Sequence, residues 1–295
     1  VKTKLSYIKI GSKVIVETSP AIATDTLASG IYKLFYDGMK DILLFDEVTF
    51  KNDKILSLPS KEYMTIINQM ELFMSDETRK KFDDLDFLYK RGVLLYGPPG
   101  SGKTILVNRI VEHAVTKNKA ICLFVDNISA LKKAYEHLNQ SQPDQLLVVV
   151  FEEFDRLAQE DEEDLLLLLD GQIQRNNVIF LATTNYFEEI PKRLVRPGRM
   201  SSVVCVTYPS RDVRYSYFKQ KLGEKFKDLD LWSDRTEGLT VDELKEIIQA
   251  VFILNEDLEE TIERLLNTRV EAPPKDDDDY NGNNFSYKKI GRRRR

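Results

Sequence analysis

Cysteine is scarce in this chain: Cys122 and Cys205 are the only two in 295 residues, far apart and each inside an apolar run. Neither a disulfide framework nor a Cys-X-X-Cys metal site is available, and buried free thiols are expected. Histidine is equally scarce. His113 and His137 stand alone on predicted helices, whereas metal centres need clustered ligands. Long hydrophobic runs are missing too: no stretch approaches the roughly 18 apolar residues that span a bilayer. Residues 1–4 do not begin the basic-then-apolar pattern of a signal peptide, so the expectation is a cytoplasmic chain with no membrane span. Nor is there an excess of positive charge. A formal charge of −5 argues against the surface-wide basic footprint of a nucleic-acid-binding domain and leaves only a local basic segment.

What is present is a soluble composition, 42% hydrophobic and 31% charged, with a clear division along the chain. Residues 1–59 read as a small β-rich module, with short strand-like runs at 7–10, 14–17, 42–45 and 55–58 and a further one at 31–36. A helical pattern follows at 62–82, then a strand at 93–96. From there helices at 103–116, 130–138 and 163–169 are interleaved with strands at 121–125, 146–151, 178–182 and 203–206. These strands are apolar without alternation, which a parallel sheet covered on both faces requires. Residues 60–208 are therefore expected to form an α/β domain. After Pro209 the pattern is helical only, at 211–226, 240–255 and 258–267, and predicts a helical lid over 209–270. Residues 271–295 are polar, acidic at 276–279 and basic at 292–295, and read as a disordered tail.

Two constellations carry chemistry. Gly97-Pro98-Pro99-Gly100-Ser101-Gly102-Lys103-Thr104 fits GxxxxGK[ST] directly after an apolar strand and directly before a helix, the context in which the motif has meaning. Its glycines let backbone N–H groups turn inward around phosphates, and the helix N-terminus adds the positive end of its dipole. Lys103 is then expected to reach the β- and γ-phosphates, and the Thr104 hydroxyl to coordinate Mg²⁺. The apolar run 146–151 ends in Glu152-Glu153, which places two carboxylates at the carboxyl edge of the sheet, where ligands of open α/β sheets sit. Glu152 is the candidate for holding the metal and its waters, and Glu153 the general base that polarises the attacking water.

With these motifs the chain resembles the AAA family of P-loop ATPases, the resemblance covering about residues 89–267. Leu165 to Leu169 followed by Asp170-Gly171 is similar to the family's LLxxLDG helix end. Ala182-Thr183-Thr184-Asn185 is similar to its sensor 1, and Leu194-Val195-Arg196-Pro197-Gly198-Arg199 to its arginine-finger segment. The family places Asp where Glu152 stands, so the metal carboxylate here is one methylene longer. The resemblance implies an AAA+ module, ATP and Mg²⁺ as ligands, and hydrolysis of ATP. It implies that Asn185 bonds the γ-phosphate or the attacking water, and that Arg196 and Arg199 reach the γ-phosphate of a neighbouring subunit in a homo-oligomeric, hexameric ring. Thr236-Glu237-Gly238-Leu239-Thr240 is similar to the TEGxS turn before the lid helix, and no sensor 2 arginine follows it. Within the family the segment 89–96 and Thr184-Asn185-Tyr186 resemble the Bcs-type ATPases, and residues 126–145 lack the aromatic pore grip of threading unfoldases. The function this implies is remodelling, moving or assembling a protein client recruited by residues 1–59. Two other readings are a nucleic-acid motor or loader using the basic tail at Lys288, Lys289 and 292–295, and a structural ring cemented by nucleotide with little turnover.

Overall fold

The computed structural model describes residues 6–10, 13–17, 25–40, 42–49, 61–170 and 175–268. The strand expected at 55–58 and the tail at 271–295 lie outside the described residues. The chain divides into a large unit, Val1–Glu246, and a smaller one beginning at Ile247.

In the large unit, β1 (Ser6–Ile10) and β2 (Lys13–Glu17) form an antiparallel pair. Among the described residues the main sheet has seven strands: β3 (Gly30–Asp37), β4 (Ile42–Glu47), β5 (Lys90–Tyr96), β6 (Ile121–Phe124), β7 (Leu147–Phe151), β8 (Val178–Thr184) and β9 (Ser202–Cys205), in the order β4-β3-β6-β7-β8-β5-β9. Among the described residues of this sheet only the β3–β4 pair is antiparallel. The sheet thus runs across the boundary expected at residue 59. β3 pairs in parallel with β6, Lys33 level with Phe124, so residues 30–47 extend the α/β sheet instead of belonging to a separate module.

Uninterrupted apolar strands serve two layers at once. Along β7, Leu147, Val149 and Phe151 enter a core with helices α4 (Ile128–Ser141), α5 (Phe154–Glu160) and α6 (Glu162–Asp170). Val148 and Val150 enter a second core with α1 (Lys61–Phe73) and α3 (Lys103–Asn118). Successive side chains point to opposite faces of a strand, so a strand covered on both sides has no polar positions to spare. Cys122 is buried in the second core and Cys205 is half-buried, both as free thiols.

The helical stretch expected at 62–82 is two helices, because Ser75 starts α2 (Asp76–Asp84) by accepting a hydrogen bond from the Thr78 N–H at 3.3 Å. The helix expected at 211–226 is α7 (Arg211–Leu222), ended by Gly223, and the short α8 (Leu229–Arg235) follows. The helix expected at 240–255 is α9 (Val241–Ile247) followed by a π-helical turn, Ile248–Ile253. α9 starts on a capping box: the Thr240 N–H donates to Glu243 Oε2 at 2.6 Å, and the Glu243 N–H donates to Thr240 Oγ1 at 3.3 Å. In the small unit α10 (Leu258–Thr268) follows the π turn. No helix among the described residues is long and apolar enough to cross a membrane.

Candidate functional site

Strand register assembles the site. Tyr96 at the end of β5 is level with Thr184 of β8 and Cys205 of β9. The next residues, Gly97, Asn185 and Val206, therefore emerge together at the carboxyl edge of the sheet. Gly97 has φ 151°, and a Cβ there would overlap the Val206 carbonyl oxygen. Gly100 has φ 73°, and a Cβ there would lie 2.9 Å from Thr240 Oγ1 and 3.1 Å from Asp242 Oδ2. Both positions need glycine for conformation and for space. α3 begins at Lys103 with no side-chain cap on its first N–H groups, leaving them to serve the loop.

Lys103 is the buried hub of this edge. Its Nζ donates to the Gly97 carbonyl at 2.8 Å, the Pro98 carbonyl at 2.9 Å and Asn185 Oδ1 at 2.7 Å. The sequence-predicted phosphate lysine and sensor amide are thus in direct contact. Burial pulls the Lys103 ammonium down to about 8, against the opposing pull of Asp242 and Cys205.

In front of Lys103 lies a cavity of about 330 Å³ whose walls include Thr104, Glu152, Glu153, Asn185 and Asp242, with Pro99, Gly100 and Gly102 at its loop side. Crowding by protein atoms raises the Glu152 pKa, reinforced by Asp126 and Glu153 and opposed by Lys33, although the residue stays accessible from the cavity. Glu153 has φ 50° and ψ 51°, a left-handed conformation uncommon for glutamate, and stands at the N-cap of α5, two residues after the end of β7. Such strain costs on the order of 1–3 kcal/mol and concentrates at functional sites. The Glu153 side chain is 74% exposed, with Arg156 Nε 3.7 Å away. A glycine cradle, an ammonium, a hydroxyl and, at the end of β7, the paired carboxylates of Glu152 and Glu153 fit a triphosphate with its magnesium: Lys103 suits the phosphates, and Thr104 and Glu152 the cation.

The remaining predicted residues divide. Ser101 is buried, its N–H reaches the Pro98 carbonyl at 3.3 Å, and its hydroxyl has no hydrogen-bond partner. Arg196 and Arg199 lie outside the cavity. Arg196 is exposed and makes no ion pair among the described residues. Arg199 is held: Nε and Nη2 bond the two carboxylate oxygens of Asp170, and Nη1 bonds the Arg193 carbonyl. Its backbone presses on β5, where a Cβ on Gly92 would overlap the Arg199 carbonyl oxygen.

Asp155 and Asp242 escaped the sequence reading, and Thr184 entered it only as part of its motif, with no role. Thr184 Oγ1 donates to Asp155 Oδ1 at 2.5 Å and accepts from the Tyr186 N–H at 2.9 Å, bracketing Asn185 on both sides. An acid in the first turn after the carboxylate pair, and a hydroxyl beside the sensor amide, were the available signals. Asp242 enters the cavity from α9, and the Thr-x-x-Glu pattern at 240–243 was the signal that fixed where that helix starts.

Residues 93–208 match the family model described as "ATPase family associated with various cellular activities (AAA)". Among curated proteins the chain is similar to one of Plasmodium falciparum described as a cell division cycle ATPase, 28% identical over 216 residues, which are 65% of this chain and 17% of that protein. It is 33% identical over 192 residues to the ATPase family gene 2 protein of Schizosaccharomyces pombe, covering 57% of this chain and 23% of that one. It is 28% identical over 203 residues to the ATP-dependent zinc metalloprotease FtsH 1 of Conexibacter woesei, covering 60% and 31%. The chain thus spans less than a third of the length of each of these relatives.

Proposed function

We propose, from the match of residues 93–208 to the AAA ATPase family model, that the chain hydrolyses ATP as a subunit of a hexameric ring and uses the energy to remodel, move or assemble a protein partner. The observation that carries the reading is the 2.7 Å bond from Lys103 Nζ to Asn185 Oδ1, which joins the phosphate loop to the end of β8 beside Glu152 and Glu153. On this reading Lys103 and the loop N–H groups hold the β- and γ-phosphates, and Thr104 and Glu152 hold Mg²⁺. The metal, when bound, neutralises charge developing on the transferred phosphoryl group. Glu153 takes a proton from the attacking water, and Asn185 orients that water or the γ-phosphate. Arg196, exposed and without an ion partner among the described residues, is the finger offered to a neighbouring subunit, and Arg199 with Asp170 sets the segment that carries it.

Protein remodelling is favoured over processive threading because α4 and the residues before it place Ile128, Ala130 and Leu131 in the core, where a threading motor would present an aromatic grip. The same segment, with residues 89–96, supports a place near the Bcs-type members. The test is turnover of purified protein against Glu153→Gln. Phosphate release should fall at least about a hundredfold, the scale of a lost general base, with nucleotide binding kept. Equal release from the two proteins would refute the assignment.

A further inference from the structure

Resting on the ATP-binding reading above, we propose that Asp242 is an affinity-setting residue: a lid-helix carboxylate posted against the phosphate loop that penalises each nucleotide according to its phosphate charge.

Three observations place it there. The capping box of Thr240 and Glu243 fixes the first turn of α9 and with it the backbone of Asp242. The Asp242 N–H donates to the Gly100 carbonyl at 3.3 Å, so this turn is tied to the loop itself. The carboxylate lines the same cavity as Lys103 and Thr104, close enough that Oδ2 would stand 3.1 Å from a Cβ on Gly100.

Its chemistry is opposite to that of its surroundings. A phosphate loop attracts anions through N–H groups, a helix N-terminus and a lysine, and Asp242 brings a negative charge to that spot. Its carboxylate forms no hydrogen bond or ion pair among the described residues. Burial makes the ionised form costly, Glu243 adds to that, and Lys245 and Lys103 offset it in part. A carboxylate needed only for stability would be expected to find a partner, since unpaired charge in a crowded site is unfavourable. The role that fits is opposition: the carboxylate shares the Lys103 field until phosphates compete for it, and it must swing aside as they enter. Because it rides on α9, that swing links loop occupancy to the start of the lid helix.

Calorimetric titration of wild type, Asp242→Asn and Asp242→Glu with Mg-ADP, a non-hydrolysable Mg-ATP analogue and adenosine tests this. Asp242→Asn keeps the shape and the backbone bond to Gly100. Removing one charge a few ångströms from the phosphates, at an effective dielectric of about 20–40, should tighten both charged nucleotides at least about tenfold. Adenosine should bind both proteins equally, and Asp242→Glu should stay close to wild type. The inference is overturned if Asp242→Asn binds the charged nucleotides no more tightly than wild type, or if it weakens adenosine, which would make Asp242 a sugar or base ligand. If neither wild type nor Asp242→Asn binds any nucleotide, the ATP reading itself falls; if wild type binds and the variant is no tighter, only this inference does.

Discussion

Lys103 can be asked to report on its own burial. Its ammonium titrates at about 8 in the chain alone, against an ordinary value of 10.5, because the loop and the end of β8 shut out water. A triphosphate beside it restores the preference for the charged form, since an opposite charge within a few ångströms favours ionisation. Binding must therefore take up a proton wherever the free protein has lost one. The folded-state pKa is depressed, so the charged lysine is the majority form below pH 8 and the neutral one above it. Between pH 7 and pH 9 the charged fraction falls from about ten in eleven to about one in eleven, and the apparent affinity for Mg-ATP should fall with it, by about tenfold. The γ-phosphate, with a second pKa near 6 to 7, is already ionised over most of this window and contributes little. A fluorescent-nucleotide titration at constant ionic strength measures the profile, with Lys103→Arg as the control because guanidinium stays charged throughout. Wild type should lose affinity from pH 7 to pH 9 while the arginine variant stays flat. A wild-type profile as flat as that of the variant would refute the claim that burial governs this lysine.

Two further outcomes follow from the site. Arg196→Ala should leave nucleotide affinity within about twofold yet lower turnover by about 10³, the lower end for an arginine supplied in trans; normal hydrolysis by this variant would remove the finger assignment. Thr184→Val deletes the hydroxyl that bonds Asp155 and the Tyr186 N–H. It should lower kcat about tenfold through a misplaced Asn185 and cost on the order of 1–3 kcal/mol for the unpaired groups left behind; unchanged kcat in a destabilised protein would make the pair purely structural.

The central strands and the glycine turns of the loop at 97–102 were legible because their physics is local. A strand buried on both faces must be apolar at every position, as 147–151 is, and a loop that wraps phosphate must carry glycine where Gly97 and Gly100 have positive φ. The partner of β3 was not legible. Gly30–Asp37 reads as a strand from its own composition, but nothing nearby says that Lys33 pairs with Phe124, about ninety positions away. α5 and α8, seven residues each, are too short to show a helical period. The turn Ile248–Ile253 is invisible to a 3.6-residue template because it closes by i to i+5 bonds. Asp242 was missed for another reason: an acid early in a helix is ordinary, and only the folded chain reveals that it faces a phosphate loop.

Position 92 has a mechanical meaning. Hydrogen alone fits between β5 and the Arg199 carbonyl, so the strand that ends in the phosphate loop and the stretch carrying both arginines are in van der Waals register with no cushion between them. Tightly packed backbones of this kind transmit displacement instead of absorbing it. Even alanine at 92 would pry the two apart, shifting the arginine segment away from β5.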